Sequence, residues 1–276
     1  IFWMWLSAFL GGASAFIEST LAQIYKKKNA DGSSYGGPAF YMRDALNARW
    51  LGVIFSVLII FTYAIGYNML AAFNLQSTFK VFSFYGDRTP AIIGAILAVL
   101  FGAVVIGGAH RLVKVTGVLV PVMGIVYVAI SLIVLVLNIG NIPAMFAGIF
   151  KNAFDFQAIF GGFAGSCIMF GIKRGLYSNE AGMGSAPNAA ATADVSHPAK
   201  QGLVQMLSVF IDTMLICTAT AFMCLSTNII PQNYLAADGS ADAAGYVQAA
   251  TASTLGKFGP IFIAFAMCLF AFTTLI

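Results

Sequence analysis

The side chains able to do chemistry are few, and one stretch gathers most of them. Met169 to Pro187 reads MFGIKRGLYSNEAGMGSAP and holds Lys173, Arg174, Ser178, Asn179 and Glu180 among glycines at 171, 175, 182 and 184. Apolar runs lie on both sides, Ile159 to Phe170 before it and from Leu203 after it, with Asp212 in the middle of the second. No H-E-x-x-H or G-x-S-x-G occurs, and the Ser and Asp residues of the apolar runs have no His close by in sequence. An enzyme is therefore not expected. Cys167, Cys217, Cys224 and Cys268 lie in apolar segments without a C-x-x-C pair and read as small buried hydrophobes. His110 and His197 stand beside loop cations with no metal-ligand spacing, so neither a metal other than a transported cation nor an organic cofactor is expected. The net charge of +4 is spread over short loops, which argues against nucleic acid as a partner.

The elements that must position this stretch are membrane helices. Hydrophobic residues make up 60% and charged residues 9% of the 276, against about 25% charged in a soluble domain. Several runs reach the ~20 apolar residues that a helix needs to cross a hydrocarbon layer. With Gly, Pro and charge as punctuation, seven segments emerge, at about 1–25, 51–80, 90–108, 116–138, 155–175, 203–227 and 258 onward. Alternate loops divide the 14 Lys and Arg unequally. The first, third and fifth hold ten of them, from Lys26–Lys28, Arg43 and Arg49 through Arg111 and Lys114 to Lys173, Arg174 and Lys200. Lys80, Arg88, Lys151 and Lys257 remain for the even loops. The positive-inside rule assigns the first set to the cytoplasm.

The longest outer loop, Asn228 to Gly259, contains AADGSADAAG, which is turn-like, and an Ala-rich stretch after Tyr246 that suits a short helix, either a lid or a plain surface loop. Pro121 is expected to kink its helix. The chain opens on Ile1 inside an apolar run and closes on FAFTTLI. It is expected to be one transmembrane transporter domain over 1–276, truncated at both ends.

Gly161, Gly162 and Gly165, then Gly171 and Gly175, crowd one segment. Each costs up to ~1 kcal/mol relative to Ala in a helix interior. Two structures explain such a cluster: a helix break, or very close packing of two intact helices. Charge favours the break. Ionisable groups at membrane depth cost at least ~2.5–3.5 kcal/mol and face a bundle interior or a water path. A helix interrupted near Gly171 would offer free carbonyls to a cation and free amides to a carboxylate.

GIKRGLYSNEAGMGSAP and HPAKQGLVQMLSVFIDTMLICTAT from His197 closely resemble the central region of the alanine/glycine:cation symporter family, the sodium–alanine symporters. FIESTLAQIYKKK near the start and FAFTTLI at the end resemble that family as well, in the same order. The resemblance implies an all-α, leucine-transporter-type inverted-repeat bundle of which this chain carries the second to eighth helices. It further implies import of a small neutral amino acid, alanine or glycine, coupled to Na+ by alternating access across a bacterial inner membrane. An ion channel, or a transporter of the same fold with another coupling ion, is the alternative.

On the same resemblance, Ile168, Met169 and Gly171 line the substrate pocket at the break of the sixth helix, where bulky Ile and Met leave room for a small side chain. Gln76 contacts the substrate through its amide, with Asn74 as a nearby rival. Thr273 is assigned to sodium and Thr274 to sodium or substrate; helical Thr also commonly bonds back to its preceding turn. Gly175, Asn179, Glu180 and Asp212 are assigned structural or gating roles. Glu18, Glu180 and Asp212 read either as coupling or proton-relay carboxylates or, more economically, as partners for Lys173, Arg174 or free helix ends.

Overall fold

A computed structural model of the chain describes residues 1–155, 167–235 and 242–275. Long apolar runs fold as helices because a helix satisfies every backbone donor and acceptor within its own segment. The helices are α1 Phe2–Ile24, α2 Pro38–Leu46, α3 Arg49–Thr78, α4 Thr89–Val105, α5 Gly108–Leu137, α6 Ile142–Ala153, α7 Cys167–Asn179, α8 Ala186–Thr192, α9 Pro198–Leu225, α10 Ala243–Leu255 and α11 Phe258–Leu275. Among the described residues, Arg49–Thr78, Arg111–Leu137, Pro198–Leu225 and Phe258–Leu275 are long and apolar enough to cross a membrane, and Thr89–Val105 is a shorter apolar helix. The chain is a multi-pass membrane protein. α1 falls outside that set because Ser7, Gly11, Gly12, Glu18, Ser19 and Gln23 dilute it, and all six are buried.

The expected segments match these helices except at two places. Arg111 and Lys114 belong to α5 and not to a loop, because only the turn around Ile106 and Gly107 separates α4 from α5. Pro121 sits inside α5 without ending it. Of the segment expected at 155–175, residues 156–166 lie outside the described residues, and with them Gly161, Gly162 and Gly165.

The chain forms two compact units. The first comprises Ile1–Thr62 and Phe146–Thr218. α1 is its axis and packs against α7, α8 and α9. Its buried positions are small, with Ala8 and Ala15 joining Ala181 and Val209 in one cluster, which lets helices approach closely. After α1 a hairpin pairs Lys27 with Tyr35 and Lys28 with Ser34. Asp44 of α2 holds this hairpin through Lys27 Nζ at 2.9 Å and also pairs with Arg43. The end of α8 is capped from α1 and the residues just after it: Gln23 Nε2 and Lys26 Nζ both donate to the Ala193 carbonyl at 2.9 Å, taking a carbonyl left over where a helix stops.

The second unit comprises Tyr63–Met145 and Ala219–Ile276. Leu75, Leu97 and Ala271 form its core, with Phe79, Ile93 and Met267 against them. The Ala-rich stretch forms α10, and its buried Gln248 ties two helix ends together, donating to the Thr78 carbonyl at 2.8 Å and the Pro260 carbonyl at 3.3 Å. Asn138 Nδ2 donates to Thr254 Oγ1 at 2.8 Å, so α10 is anchored on two sides.

α3 and α9 each contain a π-helical turn, Thr62–Tyr67 and Ile211–Cys217. Such turns insert one extra residue per bonded ring and recur at functional positions.

Candidate functional site

α7 carries the start of the polar stretch, and its backbone decides what the glycines do. Helical bonding is continuous from Cys167 to Asn179, so the break expected at Gly171 is absent. The competing reading of the glycines holds here. A Cβ on Gly171 would lie 2.6 Å from Trp3 Cβ, 3.2 Å from the Met4 amide nitrogen and 3.3 Å from the Trp3 carbonyl carbon. Gly171 thus sets how closely α7 and α1 approach, and Gly175, one turn on, sits against Ser7.

Beside that seam lies a cavity of about 320 Å³. Ile168, Ile172 and Leu176 line it from α7 at a spacing of four, which places them on one helix face, while Trp3, Leu6 and Leu10 line it from α1. Of the residues assigned to the substrate, Ile168 borders this cavity; Gly171 does not.

The backbone departs from helix later than expected, immediately after Asn179. Glu180 has φ +52°, and Gly182 and Gly184 have φ +77° and +81°. Alternation of left-handed residues turns successive amides to one side, a concavity suited to an anion. The anion is a side chain of this protein. Glu18 of α1, 7% exposed, accepts the Gly182 amide at 3.0 Å. Glycine is required at 182 and 184 because other side chains strain at such φ. Tyr41 of α2 lies near enough for Glu18 to act on it: burial first, and the Glu18 charge second, push its phenol up to about 12. No motif in the sequence announces this pairing of Glu18 with a segment more than 160 positions away; its one signal is a carboxylate inside an apolar run.

The remaining carboxylates also meet neutral groups. Glu180 accepts the Ser185 hydroxyl. Asp212, in the π turn of α9, lies 3.5 Å from Thr213 Oγ1. Asn179 Nδ2 donates to Thr213 Oγ1 at 2.9 Å, and its Oδ1 accepts the Ala181 amide at 3.0 Å. The last turn of α7 is thereby bound to the π turn of α9, and Trp5 Nε1 of α1 donates to Thr218 Oγ1 at 2.8 Å. Of the two alternatives for these carboxylates, Glu18 answers to the free amides of a chain reversal. Lys173 and Arg174 are exposed, as snorkelling cations are.

Gln76, Thr273 and Thr274 belong to the second unit. Gln76 Oε1 accepts the Tyr85 hydroxyl near the end of α3. Thr273 and Thr274 both donate to the Phe270 carbonyl, at 3.0 and 2.8 Å. Thr273 Oγ1 also lies 3.9 Å from Met123 Sδ.

Long apolar helices with a glycine-rich polar elbow, one of its amides held by a buried carboxylate, define the class: a multi-pass α-helical membrane protein. The model of the sodium:alanine symporter family matches residues 1–276. The putative sodium/proton-dependent alanine carrier protein YrbD of Bacillus subtilis is 44% identical over 289 residues, which cover 100% of this chain and 57% of that protein. The probable sodium/glutamine symporter GlnT of the same organism is 42% identical, covering 100% and 56%. The sodium/alanine symporter AgcS of Methanococcus maripaludis is 36% identical, covering 100% and 60%. The chain belongs to the sodium:alanine symporter family, a family of transporters and not of enzymes, and spans less than two thirds of the length of these relatives.

Proposed function

We propose that the full-length protein imports a small neutral amino acid, alanine or glycine, together with Na+ by alternating access. The observation that carries this reading is the family match over all of 1–276, with relatives whose names specify alanine and sodium. The leucine-transporter-type inverted repeat, the single transporter domain and the bacterial inner membrane belong to the same proposal. So do the site assignments: Ile168 and Met169 at the start of α7, Gln76 and Thr274 for the substrate, Thr273 and Thr274 for Na+. Gly171 enters as a spacer between α7 and α1, since its open side is filled by Trp3 and Met4. Gly175, Asn179 and Glu180 shape the elbow that follows.

A second substrate has a specific observation in its favour, because one relative of 42% identity bears the name of a glutamine symporter. Uptake of labelled alanine, glycine and glutamine by the full-length protein in proteoliposomes, with and without an inward sodium gradient, tests both. The proposal expects saturable alanine or glycine uptake that collapses without sodium. Uptake of glutamine alone rejects the substrate, and sodium-independent uptake rejects the coupling.

A further inference from the structure

We propose that the corner built by the Lys27–Lys28 hairpin strand, α2 and the start of α3 is a docking surface for anionic phospholipid headgroups. The corner lies within the first unit. Residues 25–50 bring five cations there, Lys26, Lys27, Lys28, Arg43 and Arg49, against the carboxylates of Asp31 and Asp44, a net charge of +3.

Packing gathers these residues at one end of α1. Lys26 Nζ donates to the Ala193 carbonyl, and a Cβ on Gly36 would lie 2.9 Å from Ala191 Cβ, so the hairpin folds against the end of α8. The Lys27–Asp44 pair ties the hairpin to α2. α2 folds back on α3, because a Cβ on Gly52 would lie 2.8 Å from the Ala39 carbonyl oxygen. The start of α9 belongs to the same end, with Gly202 against Phe16 and Thr20 of α1; it adds Lys200 and Asp194, whose charges cancel.

Trp50 sets the depth of the corner. α3 is one of the helices able to cross a membrane, and its second residue, Trp50, is 67% exposed, with Leu46 before it and Val53 and Ile54 after it exposed as well. An exposed Trp at the end of a spanning helix rests at headgroup level, and Arg49 is its immediate neighbour.

Charge then selects the headgroup. Asp44 is shared by Lys27 and Arg43, and the Arg43 guanidinium also lies 5.1 Å over the Phe40 ring. Asp31 is closed on its own turn, accepting the Ser33 amide at 2.9 Å and the Ser33 hydroxyl at 2.6 Å. Lys28 and Arg49 are exposed, and among the described residues neither forms an ion pair. The phosphodiester of an anionic lipid supplies the missing charge in the layer where Trp50 rests, and a guanidinium can hold two of its oxygens at once. A zwitterionic headgroup brings its own cation, which competes for the same phosphate.

The test is competition binding on the full-length protein in neutral detergent, with radiolabelled phosphatidylglycerol displaced by unlabelled phosphatidylglycerol or phosphatidylcholine. Phosphatidylglycerol should displace the label at several-fold lower concentration. Lys28→Gln and Arg49→Gln should each weaken its binding about fivefold and leave phosphatidylcholine unaffected. Salt at about 1 M, where the Debye length is about 3 Å, should abolish the preference. Lys151→Gln is the control. Trp3 Nε1 of α1 donates to the Ala153 carbonyl at 3.1 Å, so Lys151 stands at the other end of the 23 residues of α1, about 35 Å away at 1.5 Å per residue; this variant should bind as wild type. Equal displacement by the two lipids, wild-type binding by Lys28→Gln and Arg49→Gln, or an equal loss in Lys151→Gln overturns the proposal. Displacement by inorganic phosphate at the concentration of the lipid overturns it too, assigning the surface to a free anion.

Discussion

Replacing Gly171 by Ala separates helix packing from helix breaking. At a break, Ala would be tolerated poorly because the backbone needs freedom; in a continuous helix, Ala is the better helix former by about 1 kcal/mol. Here the new methyl would meet Trp3 Cβ at 2.6 Å and the Met4 amide nitrogen at 3.2 Å, atoms at or next to the backbone of α1 that cannot swing away. Overpacking of this kind costs about 1–3 kcal/mol, so Gly171→Ala should be destabilised by up to about 2 kcal/mol net. Two companions calibrate it. A Cβ at Gly175 meets chiefly the Ser7 hydroxyl, which can rotate at the cost of its bond to the Met4 carbonyl. Such a bond contributes about 0.5–1.5 kcal/mol, which offsets the helix gain and leaves Gly175→Ala near neutral. Gly94, inside α4, has no atom within 4 Å of the place a methyl would take, so Gly94→Ala should gain up to about 1 kcal/mol. Thermal unfolding of the full-length protein in detergent, followed by fluorescence-detected size exclusion, should rank Gly94→Ala above Gly175→Ala above Gly171→Ala. A Gly171→Ala protein as stable as Gly94→Ala refutes the close approach of α7 to α1.

Three further outcomes are expected. Glu18→Gln keeps an acceptor but loses the charge that holds the Gly182 amide; a bond to a charged group contributes about 1.5–3 kcal/mol, so limited proteolysis should begin at 180–184, and an unchanged cleavage pattern contradicts the role of Glu18 at the reversal. The Arg43 bond first, and Lys27 second, hold the Asp44 carboxyl well below the usual carboxylate range. Because the folded value is depressed, the tie between the hairpin and α2 persists above about pH 4 and is lost as pH falls through that depressed value; hydrogen exchange in α2, corrected for intrinsic rates, should loosen only in acid, and loosening that starts near neutral pH contradicts it. Thr273→Ala in the full-length protein should raise the sodium concentration for half-maximal uptake, whereas an unchanged sodium curve removes Thr273 from the ion's ligands.

Much of the fold was legible in the sequence because hydropathy and punctuation act locally. The apolar runs became α1, α3, α4, α5, α9 and α11 within a few residues, and the Ala-rich stretch after Tyr246 became α10. What local pattern cannot supply is a partner. Gly171 looks the same in sequence whether it ends a helix or faces another; the position of Trp3 decides. The chain reversal was legible in the glycines but misplaced, since the left-handed residues are Glu180, Gly182 and Gly184. The π turns leave no period in the sequence, and Thr213 meets Asn179 only once the helices pack. At Thr273 and Thr274 the hydroxyls bond back to the Phe270 carbonyl, a habit of helical Thr that sequence cannot tell apart from a ligand role.

The central claim is obligatory coupling of sodium to an amino acid, and radioactive sodium influx into proteoliposomes containing the full-length protein measures it directly. With no membrane potential and no sodium gradient, an inward alanine gradient should drive sodium into the vesicles above its starting level. Sodium that enters equally with and without alanine, as through a channel, would contradict the account.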